Sequence, residues 1–308
     1  METVSIVIPT LNRQTCLQRA LASVRAQQAE GVEIEIIVVD NSSDASARAT
    51  VAAFGVDGLR ILYLSEPAPG VATARNAGVR AAQGRWIAFL DDDEEARTDW
   101  IAEMLRVALD TGAQAVFGPV EARADDAAEI GGFAPYFSRA IDRPDGDDIT
   151  ELSAYLGTNN SMFERALCLS DGAPFEESLN EIGGEDSLLL ERLAMRGFRF
   201  AWAARAGVIE WVPQRRLDWA YVCKRKFLSG QIRVFVQDMA APGRGWRIAF
   251  WMVAGLVQFV VAGALAVLFR PFDRARAQRA SATAYGGLGK VLWTPRFRPT
   301  LYGSGLIS

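Results

Sequence analysis

The first 120 residues of this chain alternate between two periodicities, and that alternation restricts the fold more than any other feature. Residues 4–10 (VSIVIPT), 34–40 (IEIIVVD), 59–64 (LRILYL) and 85–91 (RWIAFLD) are short, apolar and rich in β-branched residues. Such runs are predicted to form buried strands. Between them, residues 14–27, 72–84 and 99–112 place apolar residues at helical spacing, and Gly84 suits a helix C-cap. A further strand is predicted over 113–122 (AQAVFGPVEA). Strands joined by helices imply an α/β fold, a doubly wound, mostly parallel sheet with helices on both faces. Sheets of this kind bind ligands beyond the carboxyl ends of their strands.

Polar clusters fall at those ends. The first strand runs into PTLNR, the second into VVDNSSD and the fourth into FLDDDE. One rim therefore carries Asp40, Asp91, Asp92 and Asp93, with Arg75 on the third crossover helix. Three adjacent carboxylates repel one another, and Asp is a poor strand former. A solvated loop before an N-capped helix needs only one of them. Asp40 also suits a turn that it caps itself. Carboxylates do not bind phosphate directly, but they hold a divalent cation that does, and they accept from a base N–H or a ribose hydroxyl. The rim suits a nucleoside diphosphate with Mn²⁺ or Mg²⁺. No GxGxxG follows a strand and no GxxxxGK[ST] occurs, and YGGLGK at 285–290 lacks the spacing.

The chain has no histidine, which excludes His bases, His metal ligands and a Ser-His-Asp triad. Cys16, Cys168 and Cys223 lie far apart and read as small buried apolar groups in a reducing compartment. The opening METVSIVIPT lacks a basic segment before an apolar core, so no signal peptide is expected.

The net charge of −4 conceals an asymmetry. From Pro213 onward there are 15 Lys and Arg against 3 Asp and Glu; the preceding residues are strongly acidic. A basic C-terminal part faces an anionic surface. Residues 248–269 (IAFWMVAGLVQFVVAGALAVLF) favour a membrane over nucleic acid, because the run is long enough to span about 30 Å of hydrocarbon. Arg244 and Arg247 flank it on one side and Arg270, Arg274, Arg276 and Arg279 on the other, so charge gives no orientation. A wholly buried helix, a spanning helix and a re-entrant or interfacial segment all remain open. Residues 215–237 read as a basic helix carrying Trp219, Tyr221 and Phe227, either a lid, a headgroup-contacting element or a packed core helix.

VSIVIPTLNR, VVDNSSD, GVATARNAG, GRWIAFLDDDE and GGEDSLLLERLAMRG, in that order over residues 1–235, resemble the family 2 glycosyltransferases. The DDDE, AVFGPVEA, GGED and VPQRRLDWAYVCKRKFLSGQ segments look most like the bacterial exopolysaccharide enzymes of the succinoglycan type. The resemblance implies a GT-A fold, a nucleotide-sugar donor, a metal-binding DxD and an inverting mechanism. It implies that Pro9, Thr10 and Arg13 line the base and ribose, that Asp40 accepts from the base, and that Arg75 lies near base and phosphates. Asp92 would meet the ribose, and Asp93 with Asp91 would hold the metal. Asp186 would be the general base, with Glu185 as the alternative; Gly183 and Gly184 before them permit unusual backbone angles. In the family a histidine often precedes E-x-V-P; here Ile209 stands in its place, and Glu210 is the candidate replacement ligand. QRRLDW lacks the QxxRW of processive synthases, so one sugar per encounter is expected. Asn160, Arg216 and Arg225 are the candidate acceptor-binding residues.

The expectation is a catalytic domain over 1–212, with a nucleotide half to about 118 and an acceptor half over 119–212. A basic helical segment over 213–240 and a membrane-associated segment with a basic tail over 241–308 follow. The expected acceptor is a polyprenyl-diphosphate-linked glycan at the cytoplasmic face of the inner membrane. Transfer to polyprenyl monophosphate and a catalytically silent nucleotide-sugar-binding subunit are the alternatives.

Overall fold

The computed structural model describes residues 1–55, 60–125 and 129–297. In chain order the elements are β1 (Glu2–Thr10), α1 (Gln14–Arg25), β2 (Val32–Asp40), α2 (Arg48–Phe54), β3 (Arg60–Ser65), α3 (Val71–Ala81), β4 (Trp86–Phe89), β5 (Glu94–Ala96), α4 (Trp100–Thr111), β6 (Ala115–Phe117) and β7 (Val120–Ala124). Then come α5 (Ala134–Phe137), β8 (Ser161–Glu164), α6 (Arg165–Cys168), α7 (Glu185–Met195), β9 (Phe200–Trp202), β10 (Val208–Val212), α8 (Trp219–Ala240), α9 (Gly245–Phe269) and α10 (Arg274–Val291). Leu59 and residues 298–308, part of the expected third strand and basic tail, lie outside the described residues.

The main sheet has the order β3-β2-β1-β4-β8-β6-β9. β1 pairs in parallel with β2 and β4, and β2 with β3; β8 is antiparallel to both β4 and β6. The period-two rule assigns its two faces. Val4, Ile6, Ile8, Ile36, Val38, Trp86 and Ala88 pack against α1, α2 and α4. Val7, Ile37, Val39, Ile87 and Phe89 pack against α3 and α7 on the other face. Both faces are covered, which is why these strands read as continuous apolar runs.

A second, three-stranded sheet has the order β5-β10-β7. The single strand expected over 113–122 is in fact divided between the two sheets. Pro119 has no N–H for a ladder, and the Gly118 N–H donates to the Asn160 carbonyl at 3.2 Å, so the chain leaves one sheet there and enters the other. The acidic turn after β4 lies at the other junction. β4 stops at Phe89, the Glu94 N–H closes a turn onto the Asp91 carbonyl at 3.0 Å, and β5 joins the small sheet. Helix α2, at seven residues, and strand β5, at three, are too short to announce themselves by period.

Most of 215–237 lies in α8. Asp218 caps α8 by accepting from the Ala220 and Tyr221 N–H groups, and Val222, Leu228, Val234 and Phe235 of the helix are buried. The packing is that of a core helix. α8, α9 and α10 meet through glycines: a Cβ on Gly230 would overlap the Gly286 carbonyl, and one on Gly289 the Phe227 carbonyl. Gly286 and Gly289 belong to the YGGLGK segment, whose glycines serve close helix approach. Gly289→Val should therefore lower thermal stability by about 1–3 kcal/mol, the usual cost of overpacking. Gly263→Ala, which meets no neighbouring atom, should leave the melting temperature unchanged or raised. Thermal unfolding of the two variants checks both.

Candidate active site

The strand ends and the acidic turn bring two charge clusters to one rim. In the first, Thr10 Oγ1 donates to Asp92 Oδ2 at 2.8 Å, and the Arg13 guanidinium bridges Asp92 Oδ1 at 3.0 Å and Asp93 Oδ2 at 2.9 Å. Arg216, from the turn after β10, stands 3.6 Å from the same Asp93 oxygen. In the second, buried Arg75 on α3 donates to Asp91 Oδ1 at 3.2 Å and to Glu185 Oε1 at 2.8 Å. Arg75 thereby ties the acidic turn to the start of α7. A cleft of about 390 Å³ opens beside the first cluster, lined among others by Asn12, Arg13, Asp93, Trp211 and Arg215.

The N-terminus of α7 separates its two carboxylates. Gly183 and Gly184 both have positive φ, 78° and 97°, as their place before the helix requires. A Cβ on Gly184 would also sit 2.9 Å from Ile232 Cγ2 of α8. Glu185 turns inward to Arg75 and is buried. Asp186 is half-buried; its Oδ1 accepts from the Ser187 N–H at 2.6 Å. Its Oδ2 faces Gly157, where a Cβ would come within 3.1 Å of it. The bare glycine leaves that oxygen open.

Burial, and after it charge crowding, raises the proton affinity of the rim. Burial pushes Asp92 up to about 7 in spite of Arg13. Burial and then Asp186 push Glu185 up to about 7 against Arg75. Burial and then Asp93 push Glu210 up to about 7, with Arg225 and Arg216 opposing. Asp93 is raised by burial as well, with Arg13 pulling the other way.

Four of the expected site residues have partners within the chain. Asn160 is fully buried: its Oδ1 accepts from Trp100 Nε1 at 2.7 Å, and its Nδ2 donates to the Pro119 and Ala206 carbonyls at 2.8 and 3.0 Å. With both ends of its amide used, it latches the crossing between the two sheets and offers nothing to an acceptor. Arg216 belongs to the Asp93 cluster, and Arg225 donates to the Tyr136 carbonyl at 3.0 Å and lies over the Phe137 ring. Asp40 is enclosed by the Ser42 and Ala47 N–H groups and the Tyr63 hydroxyl, at 3.0, 2.8 and 2.9 Å. Burial opposes its charge, but these bonds hold it below the usual carboxylate range. A base N–H reaches Asp40 only if the 41–47 loop opens. Pro9 stays half-buried on β1 beside Val39.

The expected ligand set of Asp91, Asp93 and Glu210 is not assembled either. Among the described residues, no three Asp, Glu, Cys or His side chains converge as a metal site. Glu210 lies opposite Glu94 in the β10–β5 register. The hard carboxylate oxygens do fit a cation that arrives with other ligands, phosphate oxygens and water, to complete its shell. The Arg13 guanidinium stands between Asp92 and Asp93 as a positive group that such a cation would meet. The buried Nε atoms of Arg75 and Arg216 have no hydrogen-bond partner, which leaves donors beside the rim for an anion.

Two further residues shape the site. Glu94 is buried, and accepts from the Asp91 N–H at 3.0 Å and from Asn159 Nδ2 at 2.8 Å, which sets the pitch of the acidic turn. Burial and then Asp91 raise its pKa well above normal. Arg139 donates to the carbonyls of Gly118, Gly157, Asn159 and Asn160, and burial pushes it down to about 10. It fixes the loop that carries Gly157. The E closing DDDE hinted at Glu94; nothing local hinted at Arg139.

Comparison with known proteins agrees with this geometry. The profile of Glycosyl transferase family 2 matches residues 5–165. The succinoglycan biosynthesis protein ExoM of Rhizobium meliloti is 33% identical over 246 residues, which cover 75% of this chain and 74% of ExoM. The GalNAc(5)-diNAcBac-PP-undecaprenol beta-1,3-glucosyltransferase of Campylobacter jejuni is 32% identical over 120 residues, 38% of each chain. The mannosyltransferase PcManGT of Pyrobaculum calidifontis, solved in complex with GDP-Man and Mn²⁺, superposes with a TM-score of 0.61 at 18% identity, covering 94% of this chain and 87% of that one. That likeness shows the fold, which is of the GT-A type. The extent of the profile match and of the similarity to ExoM shows that this chain belongs to glycosyl transferase family 2.

Proposed function

We propose that this enzyme is an inverting transferase that moves one sugar from a nucleoside diphosphate sugar, a UDP-sugar first, to a polyprenyl-diphosphate-linked glycan in exopolysaccharide synthesis. The observation that carries the reading is the division of labour at α7: Glu185 is spent on Arg75, whereas Asp186 Oδ2 stands open against Gly157. Acting as general base, Asp186 takes the proton of the acceptor hydroxyl as that oxygen bonds to the anomeric carbon. On the opposite face the bond to the diphosphate oxygen breaks, and its electron pair leaves with the nucleoside diphosphate. Arg216 and Arg75, with their unpartnered Nε atoms, suit the departing anion. Asp93 and Asp91 would hold the Mn²⁺ or Mg²⁺; when bound, the ion takes up charge developing on the leaving group. Asp92 and Thr10 suit the ribose. The names of ExoM and of the Campylobacter enzyme support the polysaccharide pathway and the lipid-linked acceptor. The apolar helix α9 supports attachment to the inner membrane.

Asp186→Asn keeps shape and removes basicity. Transfer should fall by roughly 10²-fold or more, the scale of general-base catalysis, while calorimetry finds nucleotide affinity near normal. An equal loss of affinity would place Asp186 in the donor site. Asp93→Ala should abolish transfer and weaken nucleotide binding only when Mn²⁺ or Mg²⁺ is present. Unimpaired wild-type transfer in EDTA would overturn the metal assignment.

The raised carboxylates also give a pH signature. Asp92, Glu185 and Glu210 keep their protons to about 7 in the folded chain and lose them near 4 when unfolded. The folded state therefore binds more protons in that window, and stability falls as pH rises through it. The melting temperature of the ligand-free enzyme in EDTA should drop between about pH 4 and about pH 7 and level off above that. Over the same range, binding of a divalent cation with UDP should strengthen, because the cation needs ionised carboxylates.

A further inference from the structure

The outer face of α9 is apolar and exposed along its whole length: Trp246, Phe250, Val257 and Val267 are 70%, 61%, 58% and 74% exposed. Its inner face is different. Arg247 pairs with Glu191 of α7 at 3.0 Å, which fastens the start of the helix to the catalytic domain. Lys290 of α10 donates to Gln258 Oε1 at 2.7 Å, near the middle of α9, and its ammonium lies 5.2 Å from the centre of the Trp251 ring. Arg233 of α8 lies over the same ring at 5.5 Å. Helices α9 and α10 touch through Gly255 and Gly287, so the charged face cannot separate from the apolar one without opening that contact.

A helix of this length is about 37 Å long and could cross about 30 Å of hydrocarbon. Crossing would carry Lys290 and Arg233 to the middle of the bilayer beside Gln258, where charged side chains are costly. It would also pull the capped helix α8, continuous with the catalytic domain, into lipid. With the helix in the membrane plane, neither cost arises. The charged face stays on the protein, and the outer face sinks into the boundary between headgroups and acyl chains. Exposed Arg244 at one end and Arg270, Arg274, Arg276 and Arg279 at the other then meet anionic headgroups on one side. Phe272, 84% exposed in the turn between α9 and α10, adds an apolar contact.

We propose that α9 lies in the plane of one leaflet as a monotopic anchor and does not cross the membrane, its outer apolar face and both arginine flanks engaging a bilayer that contains anionic lipid. This rests on the membrane-associated reading above and specifies its geometry.

The test adds the full-length enzyme to preformed vesicles of phosphatidylcholine and phosphatidylglycerol, with the catalytic domain outside. Flotation first asks whether the enzyme binds at all; failure to float would remove the membrane reading itself. A stable dimer free of lipid and detergent would instead assign the outer face to a second copy. For bound enzyme, Gly243→Cys and Ala275→Cys variants are treated outside with an impermeant maleimide and read by peptide mass mapping. Both positions are expected to label without vesicle lysis. Labelling of Ala275→Cys only after lysis would mean that α9 crosses, overturning the proposal while leaving membrane association intact. The variant Val253→Asp/Val257→Asp/Val260→Asp should reduce vesicle partitioning tenfold or more, with far-UV circular dichroism and UDP affinity retained. Retained partitioning in a folded triple variant would equally overturn the proposal; should that variant not fold, the labelling result decides.

Discussion

The ion pair that the rest of this site depends on is Arg75 between Asp91 and Glu185. It joins three separate pieces of chain: the turn after β4, helix α3 and the start of α7. A buried guanidinium flanked by two carboxylates is costly to desolvate, and it is retained where the charges have work beyond stability. Here it consumes one of two adjacent acids and leaves the other open. The same helix is fastened further along, where Asn76 Nδ2 donates to the Phe175 carbonyl at 2.8 Å and Asn180 Nδ2 to Thr73 Oγ1 at 2.9 Å. The loop that leads into α7 is therefore clamped to α3 before Glu185 and Asp186 are reached.

Around that pair the enzyme concentrates negative charge in a place where water is scarce. Asp92, Asp93, Glu94, Glu185 and Glu210 are each driven toward the protonated form, chiefly by burial. Arg13 and Arg139 offset part of this from two sides. Arg13 lies on the open rim between two carboxylates, whereas Arg139 sits behind them on neutral carbonyls. A ligand that binds the ionised form of these groups would stabilise the fold by mass action.

The C-terminal helices solve a different problem. α8 must hold the N-terminus of α7, through Ile232 and Phe235 against Gly184, and also support an apolar helix whose outer side no described residue covers. Glycine contacts bring the helix backbones close enough for polar groups on α8 and α10 to reach the inner face of α9. Among the described residues α9 is the one helix long and apolar enough to cross a membrane, yet its neighbours decide how it is used.

Much of this was legible in the chain alone. Short continuous apolar runs separated by segments of helical spacing give a covered parallel sheet, because each strand must bury both faces. Polar residues after those runs then fall on one rim, so Asp91 to Asp93, Thr10 and Arg13 could be named before any coordinate. The paired glycines before Glu185 and Asp186 marked a turn only glycine adopts. What the sequence could not decide was which partner each charge takes, since that depends on segments far apart in the chain. Asn160 and Asp40 look like ligand-facing residues by position, but Trp100, 60 residues away, and Tyr63, 23 residues away, take up their polar atoms. Arg139 carries no local signal because its acceptors are backbone carbonyls, which every residue has. The separation of Asp186 from Glu185 required Arg75, and the setting of α9 required Lys290 and Arg233. Local pattern determines which atoms are buried, whereas desolvated charges are settled only by the tertiary neighbours that reach them.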